Sequence, residues 1–471
     1  MDILNNLVSQ INGILWSYIL IILLIGAGLI FTIRTNFVQI RYFTEMFRLI
    51  TDSVGTKTEG HSISSFQAFC VSTASRVGVG NIAGIAIAIV TGGPGAIFWM
   101  WIIALLGAAT GFIESTLAQI YKVPRQDGKG GFLGGPAYYI RNALHAPHTA
   151  IFFAILISIT YGLIFNSVQA NTISLSLQTA FGFDKTITGI VIGLISALMV
   201  FGGMSRIAKI TEYMVPIMAG IYILVALGIC IYNFAKLPLI FTIIFKSAWG
   251  MDQVIGGGLG AAIMTGIKRG LFSNEAGMGS VPNAAATADA EHPAKQGLIQ
   301  AFGVFVDTLF ICSASAFIIL ITGDYSTVGL TGVQLVQHDL SLYFGNAALS
   351  AMAIIVFLFA FTSIIGNYYY GEINIKHLSD NPVYLNLFRI LVILMVFFGS
   401  IAKLSLVWNL ADLFMAFMAI TNIIAILRLS KQACITLNDY TKQKKAGIKT
   451  PVFDASILPK QDGIVWWKNN K

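Results

Sequence analysis

The chain has 471 residues, of which 56% are hydrophobic and 11% are charged. This composition excludes a soluble globular protein, which needs more charged surface, and predicts a polytopic membrane protein. The net charge of +8 is typical of basic cytoplasmic loops in such a protein and does not require a nucleic-acid partner.

Eleven runs of about 20 apolar residues, the length that crosses a bilayer, predict eleven transmembrane helices. The first run has no basic segment before it and no small-residue cleavage site after it, so we expect a retained helix rather than a signal peptide. The runs lie at about 13–33, 62–90, 95–121, 149–179, 186–203, 212–234, 252–285, 297–322, 346–371, 386–402 and 407–428.

The basic residues predict the orientation of these helices. With the N-terminus outside, most of the 29 Lys and Arg residues fall on the inner side, including the tail after Arg428. The residues left outside are Lys185, Lys236, Lys246 and Lys403. Because cytoplasmic loops are enriched in Lys and Arg, we expect an external N-terminus and a cytoplasmic C-terminus. The membrane is expected to be the plasma membrane, in a bacterium the inner membrane.

The second run contains Ser75-Arg76-Val77-Gly78-Val79-Gly80-Asn81 at its centre. Glycine weakens a helix, and polar side chains at bilayer depth are costly unless they face protein, ion or water. A deliberate helix break here would expose backbone N–H and C=O groups that can hold a carboxylate and a cation. The alternative is a seam of small residues between packed helices.

An internal symmetry favours the helix break. After the first span, ten spans remain, and a second glycine-rich run from Ile255 to Ile267 opens the second set of five. Five is an odd number of crossings, so the second set is inverted relative to the first, as in secondary transporters with a midplane site. The predicted segments are 1–61 (first span and surface segment), 62–234 (first repeat), 235–428 (outer loop and second repeat) and 429–471 (basic tail).

Three further motifs resemble a known family. They are the segments from Gly92 to Gly107, from Gly134 to Tyr139, and from Gly270 to Ser280. Together with the Asn81 stretch they are similar to the sodium:alanine symporter family, also called the alanine or glycine:cation symporters. The resemblance implies an all-α membrane protein with one extra N-terminal helix before a core like that of the leucine transporter (LeuT). That core is a 5+5 inverted repeat whose first and sixth helices are broken.

The resemblance also implies site residues and a co-transported sodium ion. The amides of Val79 and Gly80 correspond to those that hold the amino-acid carboxylate, and Asn81 corresponds to the residue that meets substrate or sodium. The corresponding sodium ligands are Ala74, Val77, Phe359, Thr362 and Ser363. The last two also stand out as a polar pair in an apolar run, although Ser and Thr in membrane helices usually hydrogen-bond to their own helix.

The chemistry of a zwitterion indicates what else the site needs. Its carboxylate requires N–H donors at a half-helix N-terminus. Its ammonium requires acceptors, for which we consider carbonyls at a second break over Thr265, Gly266 and Ile267, or the side chain of Asn81 or Gln169. Gln169 could instead form an interhelical hydrogen bond.

The size of the predicted pocket favours a small substrate. Gly78, Gly80, Gly266 and Ile267 leave little room if Tyr368 or Tyr369 closes the opposite wall. Together with the sodium coupling that the resemblance implies, this leads us to expect sodium-coupled import of small neutral amino acids, alanine or glycine.

Other ways of driving transport are compatible with the same architecture. Glu114, Asp307 and Asp412 lie in predicted spans and could relay protons, which would make the carrier proton-coupled, or they could be paired structural groups. Arg76 lies beside the first break and could pair with Glu275 or Asp307. An uncoupled carrier, a channel and a nutrient sensor are further alternatives, although two short breaks do not provide a continuous polar pore lining.

Enzyme activity is not expected. The sequence contains no phosphate-binding loop, and its six histidines lie in or next to loops rather than in a catalytic or metal cluster. The four cysteines have no paired spacing, which argues against disulfides. The expected partners are an amino acid, sodium and the lipid bilayer, with no obligatory protein partner.

Overall fold

The computed structural model describes residues 2–56, 62–125, 130–250 and 258–468. The described chain is almost entirely helical, apart from two paired two-residue strands, β1 (Val123–Pro124) and β2 (Phe132–Leu133). In the first half the helices are α1 (Asp2–Ile14), α2 (Ile21–Arg34), α3 (Val38–Arg41), α4 (Phe43–Ser53), α5 (Ser65–Arg76), α6 (Ala83–Gly92), α7 (Gly95–Ile120), α8 (Pro136–Ala143), α9 (Pro147–Ile159), α10 (Asn166–Phe181), α11 (Lys185–Val200), α12 (Met204–Tyr232) and α13 (Leu237–Ala248). In the second half they are α14 (Gly258–Asn274), α15 (Val281–Thr287), α16 (Pro293–Val304), α17 (Ser313–Thr322), α18 (Gly332–Phe344), α19 (Asn346–Leu378), α20 (Pro382–Ile401) and α21 (Leu404–Lys445).

Three π-helical stretches join pairs of these helices into longer rods. They are Leu15–Leu20 between α1 and α2, Thr160–Phe165 between α9 and α10, and Phe305–Cys312 between α16 and α17. π-Helical turns within α-helices are rare and often lie at functional sites.

Within the described ranges, eight continuous helices are long and apolar enough to cross a membrane. A ninth candidate is the pair formed by α5 and α6, which is bent by 55° at its break. Two of the eleven predicted spans correspond to shorter helices, since α11 has 16 residues and α14 has 17. The all-α membrane architecture is thus confirmed, whereas the count of eleven stays a prediction.

The outer surface of α11 illustrates how the bundle meets lipid. Ile190, Leu194 and Leu198 recur every fourth residue and are all exposed. On the opposite side, Gly189 and Gly193 lie against α20. In hydrocarbon there is no hydrophobic drive between helices, so small residues at the interface and large apolar residues toward lipid are the expected pattern.

The second helix break does not lie where the glycine pattern placed it. Residues Ile255 to Gly257 of that pattern are outside the described residues, and α14 is continuous through Thr265, Gly266 and Ile267. A side chain at Gly266 would strike the backbone of Ala96 and the side chain of Trp99 on α7. The prediction of free carbonyls at 265–267 is therefore wrong, because this glycine serves helix packing rather than helix breaking.

The chain unwinds instead between α14 and α15, over residues 275–280. Glu275 has φ +58°, Gly277 has φ +90° and Gly279 has φ +80°. These left-handed conformations end a helix and are readily adopted by glycine. The described segment α14–α15 is therefore a broken helix, like α5–α6 in the first half.

The C-terminal segment folds back onto the bundle. α21 continues without interruption through Arg428, where the tail was predicted to begin. Beyond α21, the amide of Phe453 donates to the carbonyl of Glu291 at 3.0 Å. The indole of Trp467 donates to the carbonyl of Gln119 at 2.8 Å. The tail thus contacts the same end of the molecule as the α7–α8 connection.

We predict that Gly266→Ala destabilises the protein by about 1–3 kcal/mol, because its methyl group would overpack the contact with Ala96. The loss is measured as a lower midpoint of thermal unfolding of the detergent-solubilised protein. Gly260→Ala is the matched control on α14, since a side chain there meets no atom within 4 Å. Equal stability of the two variants would contradict the packing role.

Candidate transport site

The first break begins where α5 ends. α5 starts with a capping box, in which Ser64 and Gln67 hydrogen-bond reciprocally at 3.1 Å. After Arg76 the chain becomes extended at Gly78 and forms a single 3₁₀ turn, Val79–Asn81, before α6 begins. The whole segment is buried. Its backbone polar groups therefore need partners outside the helical ladder.

Side chains supply those partners. The amide of Gly78 donates to Oδ1 of Asn81 at 3.0 Å. The amide of Val79 donates to Oε1 of Gln169, on α10, at 3.1 Å. The structure thus brings four predicted substrate-site residues together through two hydrogen bonds. Gln169 thus occupies the N–H of Val79, the group that the resemblance assigned to a substrate carboxylate.

Both glycines of the break allow close approach. A side chain at Gly78 would collide with the hydroxyl of Ser363 and the carboxamide of Gln169. A side chain at Gly80 would collide with the ring of Phe272, on α14. The break is therefore enclosed by α10, α14 and α19, and only glycine fits at these two positions.

The predicted sodium ligands converge between α5 and α19. The hydroxyl of Ser363 lies 2.8 Å from the carbonyl oxygen of Ala74 and 3.0 Å from that of Phe359. The hydroxyl of Thr362 lies 2.9 Å from the carbonyl oxygens of Phe359 and Leu358. It also contacts the sulfur of Met218 at 3.4 Å. Within the described hydrogen bonds, the carbonyl of Val77 does not join this group.

The carbonyl of Ala74 lacks the amide donor that it would have in a continuous helix. Ala74 would normally accept the amide of Gly78, but that amide turns to Arg76 and Asn81 instead. Each hydroxyl has one proton to donate. The hydroxyl proton of Ser363 is therefore shared between the carbonyls of Ala74 and Phe359, whereas the carbonyls of Leu358 and Phe359 also accept helical amides within α19. A buried oxygen cluster of this kind suits a hard cation.

Asn81 is tied to Asp307, a residue of the π-helical stretch before α17. Its Nδ2 donates to Oδ1 of Asp307 at 2.6 Å and to the hydroxyl of Ser273 at 2.9 Å. Ser273 and Thr308 donate to the other oxygen of the same carboxylate, at 2.5 and 2.9 Å. Asp307 is completely buried. Its carboxylate thus links the first break to α14.

Glu114, on α7, organises the second break. Its carboxylate accepts the amides of Gly277 and Gly279 at 3.1 and 3.2 Å. Asn422, on α21, donates to the same carboxylate at 2.8 Å and to the carbonyl of Gly277 at 3.0 Å. One buried acid therefore satisfies the N–H groups that the unwound segment frees. This assigns Glu114 the structural role that the sequence left open.

Ser75 connects the two breaks. Its hydroxyl lies 2.8 Å from Oε1 of Glu275, in the second break, and 2.7 Å from Oδ1 of Asn367, on α19. The other oxygen of Glu275 accepts the hydroxyl of Ser280 at 2.7 Å. A movement of α5 would therefore change its hydrogen bonds to α14–α15 and to α19.

Arg76 is buried near these acids without pairing directly with one. Its Nη1 donates to the carbonyl of Gln300 at 3.2 Å, while Nε and Nη2 have no hydrogen-bond partner among the described residues. It forms no ion pair with Glu275 or Asp307 in the described chain. Its charge nevertheless acts electrostatically on Glu114, Glu275 and Asp307.

Aromatic and charged side chains close the site on the α6 side. The ring of Phe272 packs on Phe165 and Trp408, with centroids 4.7 and 4.8 Å apart. The guanidinium of Arg269 lies 4.8 Å above Trp408 and pairs with Asp412. Asp412 is therefore a paired structural acid. The wall opposite Gly80 is thus Phe272 rather than a tyrosine of α19.

The tyrosines predicted for that wall have other contacts. The hydroxyl of Tyr368 accepts Nε of Arg389 at 2.9 Å, and that of Tyr369 donates to Thr287 at 3.0 Å. The sequence analysis did not identify Phe272 and Ser273 as neighbours of the first break, and it considered Glu275 there only as a partner of Arg76. All three residues fall inside the Gly270–Ser280 motif, which could have indicated their role. The sequence pattern, however, predicted the second break about ten residues before its position in the structure.

A separate cavity of 910 Å³ lies toward the basic loops. Its lining includes Arg125, Glu372, Lys376, Asp380 and Arg389. None of the predicted substrate or sodium residues lines it. The candidate site is therefore the enclosed region around the first break.

Comparison with known proteins places this geometry in a family. The sodium:alanine symporter family matches residues 1–455. The chain belongs to this family. A probable sodium/glutamine symporter, GlnT, from Bacillus subtilis (strain 168) is 51% identical over 466 residues, covering 99% of this chain and 96% of that protein. The amino-acid carrier protein AlsT of the same strain is 50% identical over 469 residues, covering 99% and 98%.

The fold is also found in a solved structure. The substrate-bound, outward-open structure of a Na⁺-coupled sialic acid symporter aligns with a TM-score of 0.54 at 13% identity, covering 86% of each chain. At this identity the likeness shows the fold alone. Family and fold together identify a multi-pass membrane carrier of the sodium:alanine symporter family rather than an enzyme.

We predict that Glu114→Gln destabilises the protein by about 1–3 kcal/mol. The carboxylate of Glu114 accepts three hydrogen bonds at the second break, and in glutamine an NH₂ group, which cannot accept, replaces one of its two oxygens. The midpoint of thermal unfolding in detergent is the measurement. Glu291→Gln, at a half-exposed surface carboxylate, is the control. A Glu114→Gln protein as stable as wild type would refute the organising role of Glu114.

Proposed function

We propose that the chain is a sodium-coupled symporter that imports small neutral amino acids, alanine and glycine first. The observation that carries this proposal is the oxygen cluster between α5 and α19, where the carbonyl of Ala74 has lost its helical donor and pairs with the hydroxyl of Ser363, directly beside the broken backbone of α5–α6. The family membership supports both the ion and the class of substrate.

The proposed sodium ligands are the carbonyls of Ala74 and Phe359 and the hydroxyls of Thr362 and Ser363. Val77, the first residue of the break, would turn its carbonyl to the ion. Sodium at this position replaces the hydroxyl protons as the partner of the carbonyls and holds α5 against α19. The hydroxyl protons then become available to other acceptors.

The proposed substrate site lies on the other side of the same break. The amides of Val79 and Gly80 would receive the carboxylate, and Asn81 would fix the turn that presents them. Gln169 must then release the amide of Val79, which frees its carboxamide oxygen for the substrate ammonium. Sodium and substrate are coupled because both act on the conformation of residues 77–81, a coupling that in such systems is worth about 1–3 kcal/mol.

For the whole molecule we propose eleven spans, an external N-terminus and a cytoplasmic C-terminus. The broken helices α5–α6 and α14–α15 would open the two inverted halves of a LeuT-like core, preceded by the α1–α2 helix. The clustering of basic residues on one side supports the orientation.

Alanine uptake into proteoliposomes tests the ion coupling. We predict that an inward sodium gradient drives accumulation and that a potassium gradient does not. Ser363→Ala should raise the sodium concentration for half-maximal uptake by roughly tenfold, since a ligand bond to a charged group is worth about 1.5–3 kcal/mol. Ser158→Ala, a buried serine that only bonds back to Ala154, is the matched control.

Proton coupling is the alternative for the driving ion, and the buried acids Asp307 and Glu275 favour it. An imposed pH gradient in sodium-free buffer separates the two. Accumulation of alanine under that gradient alone would overturn the sodium proposal.

Glutamine is the second candidate substrate, favoured by the relative named as a probable sodium/glutamine symporter. Because Phe272 covers Gly80, we predict that unlabelled glycine inhibits alanine uptake more strongly than glutamine does. Phe272→Ala should shift this ratio toward glutamine by enlarging the pocket. Stronger inhibition by glutamine in the wild type would make glutamine the substrate.

A further inference from the structure

Three side chains with metal-binding groups meet outside the transport site. Asp324 lies in the connection after α17, and His338 and Asp339 lie on α18. Their ligand atoms all lie within 4.8 Å of one another. Nε2 of His338 is 3.4 Å from Oδ2 of Asp324. Two ligands of a tetrahedral zinc ion, each about 2.1 Å from the metal, are separated by about the same distance.

The carboxylate of Asp339 is buried, and none of the described residues donates a hydrogen bond to it. The residue is 0% exposed. Neither of its oxygens, nor Oδ1 of Asp324, has a hydrogen-bond donor among the described residues. The hydroxyl of Thr322 lies nearby but donates to the carbonyl of Ile319 at 2.7 Å. A buried polar group without a partner is costly, and a cation is one way to remove that cost.

Apart from His338 beside Asp324, no described basic side chain forms an ion pair with the two acids. Lys236, which reaches the end of α17, donates to the carbonyl of Ile321 at 3.3 Å and forms no ion pair with Asp324 or Asp339 in the described chain. The buried carboxylate of Asp339 and the carboxylate of Asp324 therefore lie together at the same place in the fold.

The ligand set selects the type of metal. One imidazole nitrogen with two carboxylates suits zinc and related divalent transition metals, whereas magnesium and calcium prefer oxygen alone. The side chains of His338 and Asp324 are 31% and 33% exposed. An ion can therefore enter from solvent, and water can complete its coordination.

We propose that Asp324, His338 and Asp339 form a binding site for a divalent transition metal, with zinc the best fit. The site joins the connection after α17 to α18. α18 in turn packs against α10, α19 and α6, the half of the first broken helix that follows the break. A metal ion that fixes α18 therefore restrains the elements that must move around the first break.

The consequence for transport rests on the proposed function and orientation. With the N-terminus outside, the α17–α18 connection faces the exterior. Zinc added outside would then hold α18 against α6 and slow alanine uptake. Zinc binding itself requires neither alanine transport nor a particular orientation, so the two parts can be tested separately.

Isothermal titration of the purified full-length protein with zinc chloride tests the site. We expect saturable binding of one zinc ion, weakened at least about tenfold by His338→Ala and by Asp339→Asn, whereas magnesium should bind far more weakly. His148→Ala, at an exposed histidine on α9, is the matched control and should bind as wild type does. Zinc binding that is unchanged in both site variants would overturn the proposal.

Uptake measurements test the restraint on α18. External zinc should inhibit sodium-driven alanine uptake by the wild type and by His148→Ala, and inhibit Asp339→Asn much less. Binding without inhibition would leave the site in place and overturn its role in restraining α18. If no variant transports alanine, the proposed function fails, while the titration still decides whether the metal site exists.

Discussion

A backbone that leaves its helix inside a membrane must find new hydrogen-bond partners, and the core of this protein is arranged around that constraint. The two unwound segments, residues 77–81 and 275–280, free amides and carbonyls where lipid offers none. Gln169 and Asn81 satisfy the amides of the first segment. Glu114 satisfies those of the second. The burial of Glu114 on α7 and of Gln169 on α10 is therefore explained by the breaks that these side chains support.

One freed group is not fully satisfied in this way. The carbonyl of Ala74 has lost its helical donor and depends on the single proton of Ser363, for which Phe359 competes. This carbonyl lies between α5 and α19, two elements that Ser75 also connects to the second break. A cation at this point would therefore change the relation between the broken helices, which is what a coupled carrier requires.

Much of this arrangement could be predicted from the sequence. Gly78, Gly80 and Asn81 together mark the first break because glycine removes the helical preference and asparagine offers a side-chain acceptor. Thr362 and Ser363 stand out in an apolar run, and the structure brings Ser363 to Ala74. The second break was predicted wrongly because a glycine at 266 that permits close packing against α7 has the same local signal as one that ends a helix. The difference depends on Ala96 and Trp99, which are distant in sequence.

Two other features could not be predicted from local patterns. The partners of Glu114 are the backbone amides of a distant segment, so its role depends on tertiary structure. The contact of Gly80 with Phe272 likewise joins two elements about 190 residues apart. The expectation that Tyr368 or Tyr369 closes the pocket could not take this contact into account. Long-range contacts of this kind determine pocket shape, and hence the choice between alanine, glycine and glutamine.

The central claim is that sodium and amino acid bind to opposite sides of the same break. Equilibrium binding of labelled alanine to the purified protein over a range of sodium concentrations tests it most directly, together with sodium binding over a range of alanine concentrations. The account predicts that each ligand raises the affinity of the other by the same factor, roughly 5–150-fold for a coupling of about 1–3 kcal/mol. Alanine affinity that is independent of sodium would contradict it.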